Sequence, residues 1–400
     1  MPAHASDDEL LHRALDLARL GIGLASPNPS VGAVIADVDG GVVGTGTYTY
    51  AGVKHAEILA LEAAGVKARG GTLYINLEPH AHQGRTPPCT DALIAAGIRR
   101  VVASMPDPNP NVSGRGFDQL RKAGVQVEVG SLAEPARRLN EAFASHIRHG
   151  RPLVTLKSAM TLDGKIAPPH STHDRNSAAQ LTAGFTGNWI TGELARAHVH
   201  ELRHENDAIV VGVGTILSDN PLLTDRSGKP RRRPLLRVVL DSRLRLPLES
   251  RLVQSAAQER TGAVLVFCTA ADERKKIQLE QMGVRVETVS PIGPDQRPDL
   301  PAIVRRLGQM ELTSLMIEGG STVNSAALAS NIVDKVFLYY APKIIGEAGA
   351  VPFASGIGFM TSHGLPVRQL RLHRFGEDFA LEGYFRDPYG DWVQQSSRPG

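Results

Sequence analysis

KHAEILALEAAG at residues 54–65 and TLYINLEPHAHQGRTPPCTDALIAAG at residues 72–97 read as helix, strand, loop, helix, with ionisable and soft side chains gathered at the joints. The first helix runs from His55 to Ala64 and stops at Gly65; Thr72 to Leu77 is a strand; a second helix begins at Asp91 and ends at Gly97. His55 and Glu57 open one helix, His80 and His82 lie in the loop, and Cys89 stands just ahead of the other helix. Helix N-termini favour anionic partners, a thiolate included.

One His, two further soft or borderline ligands and a nearby Glu that is not a ligand form the set by which zinc-dependent base deaminases hold the metal, leave its fourth position to water and move protons. Taken singly the pieces are weak. A His-Ala-Glu tripeptide is usually a solvated helix face, and a lone Cys after two prolines is usually a small buried residue. The order HAE, strand, PHAHQGRTPPC is hard to produce by chance, and it points to a metal site.

Outward from this stretch the alternation continues. Asp7 to Leu20 carries apolar residues at helical spacing behind Ser6 as N-cap, and SPNPSVGAVIAD leads through Asp39-Gly40-Gly41 into VVGTGTY as a hairpin. RRVVASM is a strand, GRGFDQLRKAG a helix, VQVEVG a strand, and Glu134 to His149 one helix that connects to the second half. This pattern predicts an α/β sandwich with helices on the faces of one sheet. From Trp189 onward ELARAHVHELRHEN reads as a helix, DAIVVGVGTIL as a strand and turn, and LLRVVLDSRLR, GAVLVFCTA, VRVETVS, SLMIEGG and VDKVFLYYAPKIIG as strands. ERKKIQLEQMG and PDLPAIVRRLGQM are helices between them, so repeated βα units predict a mostly parallel, doubly wound sheet. Residues 168–186 read as an inserted surface loop, and the tail at residues 391–400 as frayed. In MIEGGSTVNSAAL, Gly319 and Gly320 either admit a phosphate to a helix N-terminus or make an ordinary turn.

Composition narrows the class. With 400 residues, two domains are the expectation; 42% apolar and 21% charged residues are those of a globular chain, and no apolar run approaches the roughly 18 residues of a membrane span. A net charge of +3 gives no global argument for nucleic acid or an anionic membrane as partner. Two cysteines, Cys89 and Cys268, and an acidic N-terminal stretch without a basic-then-apolar leader lead to the expectation of a cytoplasmic protein. The basic run Lys229-Pro230-Arg231-Arg232-Arg233, without interleaved aromatics, reads as a solvated loop.

SPNPSVGAVI, KHAEILAL, LEPHAHQGRTPPCTDALI and SMPDPNPNVSGRG resemble the deaminase domain of the bifunctional riboflavin-biosynthesis enzymes, in which a pyrimidine deaminase is joined to a uracil reductase. The resemblance implies a cytidine-deaminase-like αβα sandwich over residues 1–150, with His55, His80 and Cys89 as zinc ligands, Glu57 as proton shuttle, and Asn28, His82 and Arg85 among the pyrimidine and ribose-phosphate contacts. LKSAMTLDGKIA, NWITG, ELRHENDAIVVGVGTILSDNPLLTDR, VVLDSRLRLP, IEGGSTVNSAAL and YYAPKIIG resemble the reductase domain of the same enzymes, whose sheet is similar to that of dihydrofolate reductase, here over residues 151–390. By that resemblance NADPH reduces C1′ of the opened ribose. Its contacts fall on Ala159, Trp189, Thr215, Asp219, Ser242 and the run Gly320, Ser321, Thr322, Val323, Asn324, Ser325 and Ala326. Substrate positions fall on Lys157, Arg203, Leu223, Arg226 and Glu318, with the cations suited to a phosphate. Arg243 is a candidate for the cofactor's 2′-phosphate.

Three positions depart from the family pattern. His80 stands for a cysteine ligand, Tyr48 for a substrate-contacting His, and Gly187 for a Ser whose place Thr186 can take. A His₂Cys set is an ordinary zinc donor set with one thiolate fewer, which leaves the metal more positive and its water more acidic. The implied function is deamination of a phosphoribosylamino-pyrimidine followed by NADPH-dependent reduction, by a homo-oligomer acting on small molecules. The alternative is a reductase whose first domain has become a structural module. A nucleic-acid deaminase would need a basic channel and no second domain.

Overall fold

In the computed structural model, which describes residues 5–84, 86–169, 189–258, 262–355 and 364–391, the first helix, α1 (Asp7–Arg19), starts at a capping box. Ser6 Oγ accepts from the Glu9 N–H, and the Glu9 carboxylate accepts from the Ser6 N–H at 2.7 Å. The chain forms two compact units, Met1–Gly150 with Pro230–Arg233, and Arg151–Lys229 with Pro234–Gly400.

The first unit is built on β1 (Gly32–Ala36), β2 (Val42–Thr47), β3 (Thr72–Ile75), β4 (Arg100–Ala103) and β5 (Gln126–Val129), in the order β2-β1-β3-β4-β5. β1 runs antiparallel to both its neighbours, while β3, β4 and β5 are parallel. Alternation along β1 sorts its side chains. Val34 and Ala36 join Leu10, Leu11 and Ala14 of α1 on one face, and Ala33 and Ile35 join Ala56, Ala60, Leu93 and Leu120 on the other.

Glycine decides how closely α2 (Ala56–Ala64) approaches this sheet. A Cβ on Gly44 or Gly46 would lie 2.1 Å from the carbonyl oxygen of Ala60 or Ala56 respectively, so β2 accepts the helix backbone directly and the helix start comes to rest over the sheet.

Two expectations change here. The helix foreseen from Glu134 to His149 is two, Ala133–Leu139 and Glu141–His149, which meet at the buried Asn140. Its side chain accepts from the Ser30 N–H at 2.8 Å and donates to the Ser30 carbonyl at 3.1 Å, closing off a loop that has no ladder of its own. The basic run is not a solvated loop either. Pro230–Arg233 belongs to the first unit, and Arg232 lies over the Tyr50 ring at 4.0 Å from its centroid. The aromatic partner missing from the local sequence comes from far upstream.

The second unit holds β6 (Leu153–Thr161), β7 (Ala208–Gly212), β8 (Leu236–Leu240), β9 (Val264–Cys268), β10 (Val284–Thr288), β11 (Ser314–Ile317), β12 (Lys335–Ala341), β13 (Arg368–Phe375) and β14 (Asp378–Tyr384). Among the described residues they make one sheet of nine strands, ordered β10-β9-β8-β7-β11-β6-β12-β14-β13. The first seven are parallel, and the hairpin β13–β14 adds an antiparallel edge. Buried clusters cover both faces, as the near-continuous apolar runs of β7, β9 and β11 require. Where a turn was expected after β7, the helix Val213–Asp219 forms and ends on Asn220 at φ 44°. β11 lies between β6 and β7, so the residues that follow β11 emerge where strand order reverses, the place at which open α/β sheets bind ligands.

Candidate functional site

In the first unit His55 is the N-cap of α2, and Cys89 is the first residue of α3 (Cys89–Ala96) rather than the one before it. The Cys89 N–H donates to the His80 carbonyl at 3.0 Å, which folds the PHAHQGRTPP loop back on itself. The result brings His55 Nδ1 to 3.3 Å and His80 Nδ1 to 3.1 Å from Cys89 Sγ. One ligand atom from each of the three residues lies within 4.8 Å of the others. A tetrahedral zinc with bonds of about 2.0–2.3 Å needs donors roughly 3.3–3.8 Å apart, so this set fits the ion with small adjustment. His80 reaches the same centre as a cysteine would through Nδ1, the ring nitrogen nearest its backbone.

Around the donors, Thr86 Oγ1 lies 3.4 Å from His55 Nε2 and can fix its tautomer. Glu57 is buried at 3% exposure, and burial pushes its carboxyl up to about 7 against smaller opposing contributions, one of them a hydrogen bond from Cys89. Burial likewise raises the Cys89 thiol and lowers His80 to about 4. Tyr48 meets the His55 ring edge-on with centroids 5.4 Å apart, and its hydroxyl accepts from Asn28 Nδ2 at 2.6 Å. The His82 ring stands 5.3 Å from that of His80. Arg85 lies outside the described residues.

In the second unit, Arg203 on the helix Glu193–Glu205 pairs with Glu318 just past β11 through Nε at 2.7 Å and Nη2 at 3.1 Å. Lys157 of β6 adds a third charge at 3.5 Å from Glu318. Arg203 also donates to the Thr224 carbonyl at 3.1 Å and so anchors the loop of Leu223 and Arg226. Of the five expected substrate residues, Lys157, Arg203 and Glu318 meet directly, while Leu223, buried in the core, and Arg226 flank the Thr224 that Arg203 holds. The Arg203 and Lys157 side chains are only 13% exposed and share a carboxylate, while Arg226 is exposed. Burial pushes Glu318 up, but Arg203 and Lys157 outweigh it and hold the carboxyl down at about 2.

Comparison with known proteins follows the same division. The cytidine and deoxycytidylate deaminase zinc-binding region matches residues 4–105, and the RibD C-terminal domain matches residues 152–381. The riboflavin biosynthesis protein RibD of Actinobacillus pleuropneumoniae is 41% identical over 94% of this chain and 95% of its own length. The chain belongs to the RibD family. Acinetobacter baumannii RibD superposes with a TM-score of 0.77 at 32% identity, over 94% of this chain and 98% of that one. A Thermotoga maritima diaminohydroxyphosphoribosylaminopyrimidine deaminase/5-amino-6-(5-phosphoribosylamino)uracil reductase gives 0.76 at 33% identity, with the same coverage.

As a RibD-family chain it joins a zinc-binding deaminase region to a reductase domain. The residues expected to hold NADPH lie around the C-terminal ends of the parallel strands. Ser242 follows β8 and lines an open pocket with Arg243, Arg245, Asp295 and Arg297; Arg297 pairs with Asp295 at 2.9 Å and Arg245 comes within 3.9 Å of Asp241. Trp189 is 62% exposed, with the Arg196 guanidinium 5.3 Å from its ring centroid. Ala159 lies on β6, and Thr215 and Asp219 lie on the Val213–Asp219 helix.

The run Gly320–Ala326 opens the helix Ser321–Ala329, but not all of it faces outward. Ser321, Asn324 and Ser325 are buried, and Asn324 donates to the Phe353 carbonyl at 2.8 Å. The glycine pair also divides its duties. A Cβ on Gly319 would lie 2.7 Å from Asn324 Oδ1, so that glycine serves the packing of the helix start, whereas nothing crowds Gly320. Gly187 and Thr186 lie outside the described residues, as does most of the expected inserted loop.

Sequence reading missed Thr86 and Glu78. Glu78 accepts backbone N–H bonds from Asp107, Gly114 and Gly116 at 3.0, 2.8 and 2.8 Å, which fixes the strand exit two residues before His80. The available signal was an acid between an apolar strand and a proline, and the structure buries it at 6% exposure.

Proposed function

We propose that the first unit hydrolytically deaminates a diaminohydroxyphosphoribosylaminopyrimidine and the second reduces the ribose of the deaminated product with NADPH, two reactions of riboflavin biosynthesis. The observation that carries the reading is the convergence of His55 Nδ1, His80 Nδ1 and Cys89 Sγ beside the buried Glu57.

His55, His80 and Cys89 would hold the zinc. When bound, the metal supplies a Lewis acid that keeps Cys89 as thiolate and acidifies water. Glu57 sits two residues after one ligand and beside another, and a carboxyl raised to about 7 by burial suits a group that takes a proton and returns it to a departing amine. Asn28, His82 and Arg85 orient the pyrimidine and its ribose phosphate, with Tyr48 holding the Asn28 amide.

In the second unit Lys157, Arg203, Leu223, Arg226 and Glu318 bind the substrate. Glu318 stays ionised and orients Lys157 and Arg203, while Arg226 is the cation most open to a phosphate. The cofactor supplies the hydride, and the chain's part is to hold the two partners in register and keep water out. Ala159, Trp189, Thr215, Asp219 and Ser242 with Gly320–Ala326 form its bed, and Arg243, Arg245 and Arg297 suit a 2′-phosphate. We place the deaminase domain at residues 1–150, completed by Pro230–Arg233, and the reductase domain in the remainder of 151–390, in a homo-oligomer of the cytoplasm; among the described residues no helix is long and apolar enough to cross a membrane.

The test combines zinc stoichiometry with ammonia release on one sample of the full chain, then NADPH oxidation on the deaminated product. About one zinc per chain with both activities is the expected outcome. Zinc-free protein after growth in added zinc would sink the deaminase half, and no NADPH turnover on that product would sink the reductase half.

A further inference from the structure

Neither chemistry uses the basic run at Lys229–Arg233, yet the structure builds Pro230–Arg233 into the first unit. We propose that Arg232 and Arg233 are positioning residues for the deaminase. They fix the Gly23–Asn28 loop and, through it, the Asn28 amide and the Tyr48 hydroxyl beside the metal donors. The inference rests on the reading of that site as a deaminase.

The loop needs outside support. Its own bonds are turn bonds, Leu24 and Ala25 N–H to the Gly21 carbonyl at 2.9 and 2.8 Å and Asn28 N–H to the Ala25 carbonyl at 3.0 Å. The arginine segment ties it twice. The Arg232 N–H donates to the Gly23 carbonyl at 2.8 Å, and Arg233 Nη2 donates to Ser26 Oγ at 3.3 Å. A third tie passes through an aromatic ring. The Arg232 guanidinium lies 4.0 Å from the Tyr50 centroid, and the Tyr50 N–H donates to the Leu24 carbonyl at 3.1 Å.

From there the path to the donors is short. Tyr48 is two residues before Tyr50; its N–H donates to the Val31 carbonyl at 2.9 Å, its hydroxyl accepts from Asn28 at 2.6 Å, and its ring meets that of His55. Arg232 thus grips both strands of the frame that holds Asn28 against Tyr48. A lysine keeps the charge and the backbone donor but loses the flat guanidinium face. Lys229, which pairs with Glu201 of the second unit, lies outside this frame.

The experiment uses the full-length chain with zinc bound. Arg232→Ala should speed amide exchange across residues 21–31 and raise KM for ammonia release roughly three- to tenfold, the scale of losing one half-buried cation–π contact, with kcat within about twofold. Zinc content and NADPH oxidation should stay parental. Arg233→Ala should act in the same direction, Tyr50→Phe should be silent, Tyr50→Leu should match Arg232→Ala, and Lys229→Ala should change nothing. Parental exchange and KM in the Arg232→Ala/Arg233→Ala double variant would overturn the proposal, as would a parallel fall of ammonia release and NADPH oxidation. If the parent releases no ammonia, the deaminase reading fails, while the exchange measurement still decides whether the arginines fix the loop.

Discussion

Replacing Glu318 by Gln removes the charge from a carboxylate that Arg203 meets at 2.7 and 3.1 Å and Lys157 at 3.5 Å, with side-chain exposures of 13%, 13% and 14% for the two cations and the acid. The amide still fills the space, so the change is electrostatic. Holding the carboxyl at about 2 instead of 4.5 corresponds to on the order of 3 kcal/mol of stabilisation. Breaking a buried pair from one side costs a similar amount, about 3–5 kcal/mol, because the partners are left uncompensated. In a unit of this size that lowers the melting temperature by roughly 6–12 °C. The transition to follow is the one that added NADPH shifts upward. Because the folded-state value is depressed, the stabilisation is fully present above about 4.5 and is lost as pH falls toward about 2. The gap between parent and Glu318→Gln should therefore be flat from about pH 5 to 8 and narrow below about pH 4.5. Adding Arg203→Met should recover part of the loss, since the two changes share one interaction. A gap below about 1 kcal/mol near neutrality, or one that grows on acidification, would refute the reasoning.

Glu57→Gln should abolish ammonia release while zinc content, read by elemental analysis, stays near one per chain, because the residue is a proton carrier rather than a donor. Gly46→Ala should lower zinc content and ammonia release together and leave NADPH oxidation unchanged, since a Cβ 2.1 Å from the Ala56 carbonyl forces α2 and its cap His55 off the sheet. Arg243→Ala should raise KM for NADPH roughly tenfold or more and leave KM for NADH unchanged, the scale of one charge-assisted bond to a phosphate; equal effects on the two cofactors would place the 2′-phosphate elsewhere.

Much of this was legible along the chain because local chemistry and fold agree. Ser6 before an apolar-periodic stretch, Gly65 and Gly97 after two others, and the apolar runs of β7, β9 and β11 each state their element directly. The metal donors were readable because two of them, His55 and Cys89, lie at helix starts and the third, His80, in the loop between, all within one stretch. What escaped depends on partners distant in sequence. Asn140 breaks a helix because Ser30 needs its amide, and no periodicity around Asn140 records that. Lys157 and Arg203 read along the chain as cations for a phosphate, and only the fold sets the Glu318 carboxylate against both. Gly319 looked like half of a phosphate loop, whereas the side chain of Asn324 claims the space its Cβ would fill. The edge hairpin β13–β14 escaped because Leu370 and Leu372 alternate among arginines and stay exposed, so Arg368–Phe375 turns no apolar face to a core.

Since Pro230–Arg233 completes the first unit, that unit is discontinuous along the chain. During synthesis its contiguous part ends at Gly150, and its last piece leaves the ribosome only after about 80 further residues, a delay of roughly 4–16 s at ordinary elongation rates. Through that interval the Gly23–Asn28 loop lacks the Arg232 and Arg233 bonds, and the Tyr50 ring lacks the Arg232 guanidinium. The nascent deaminase fold therefore finishes only after the first part of the second unit, Arg151–Lys229, has been made, and a single cut at Gly150 yields a fragment permanently held at that unfinished stage.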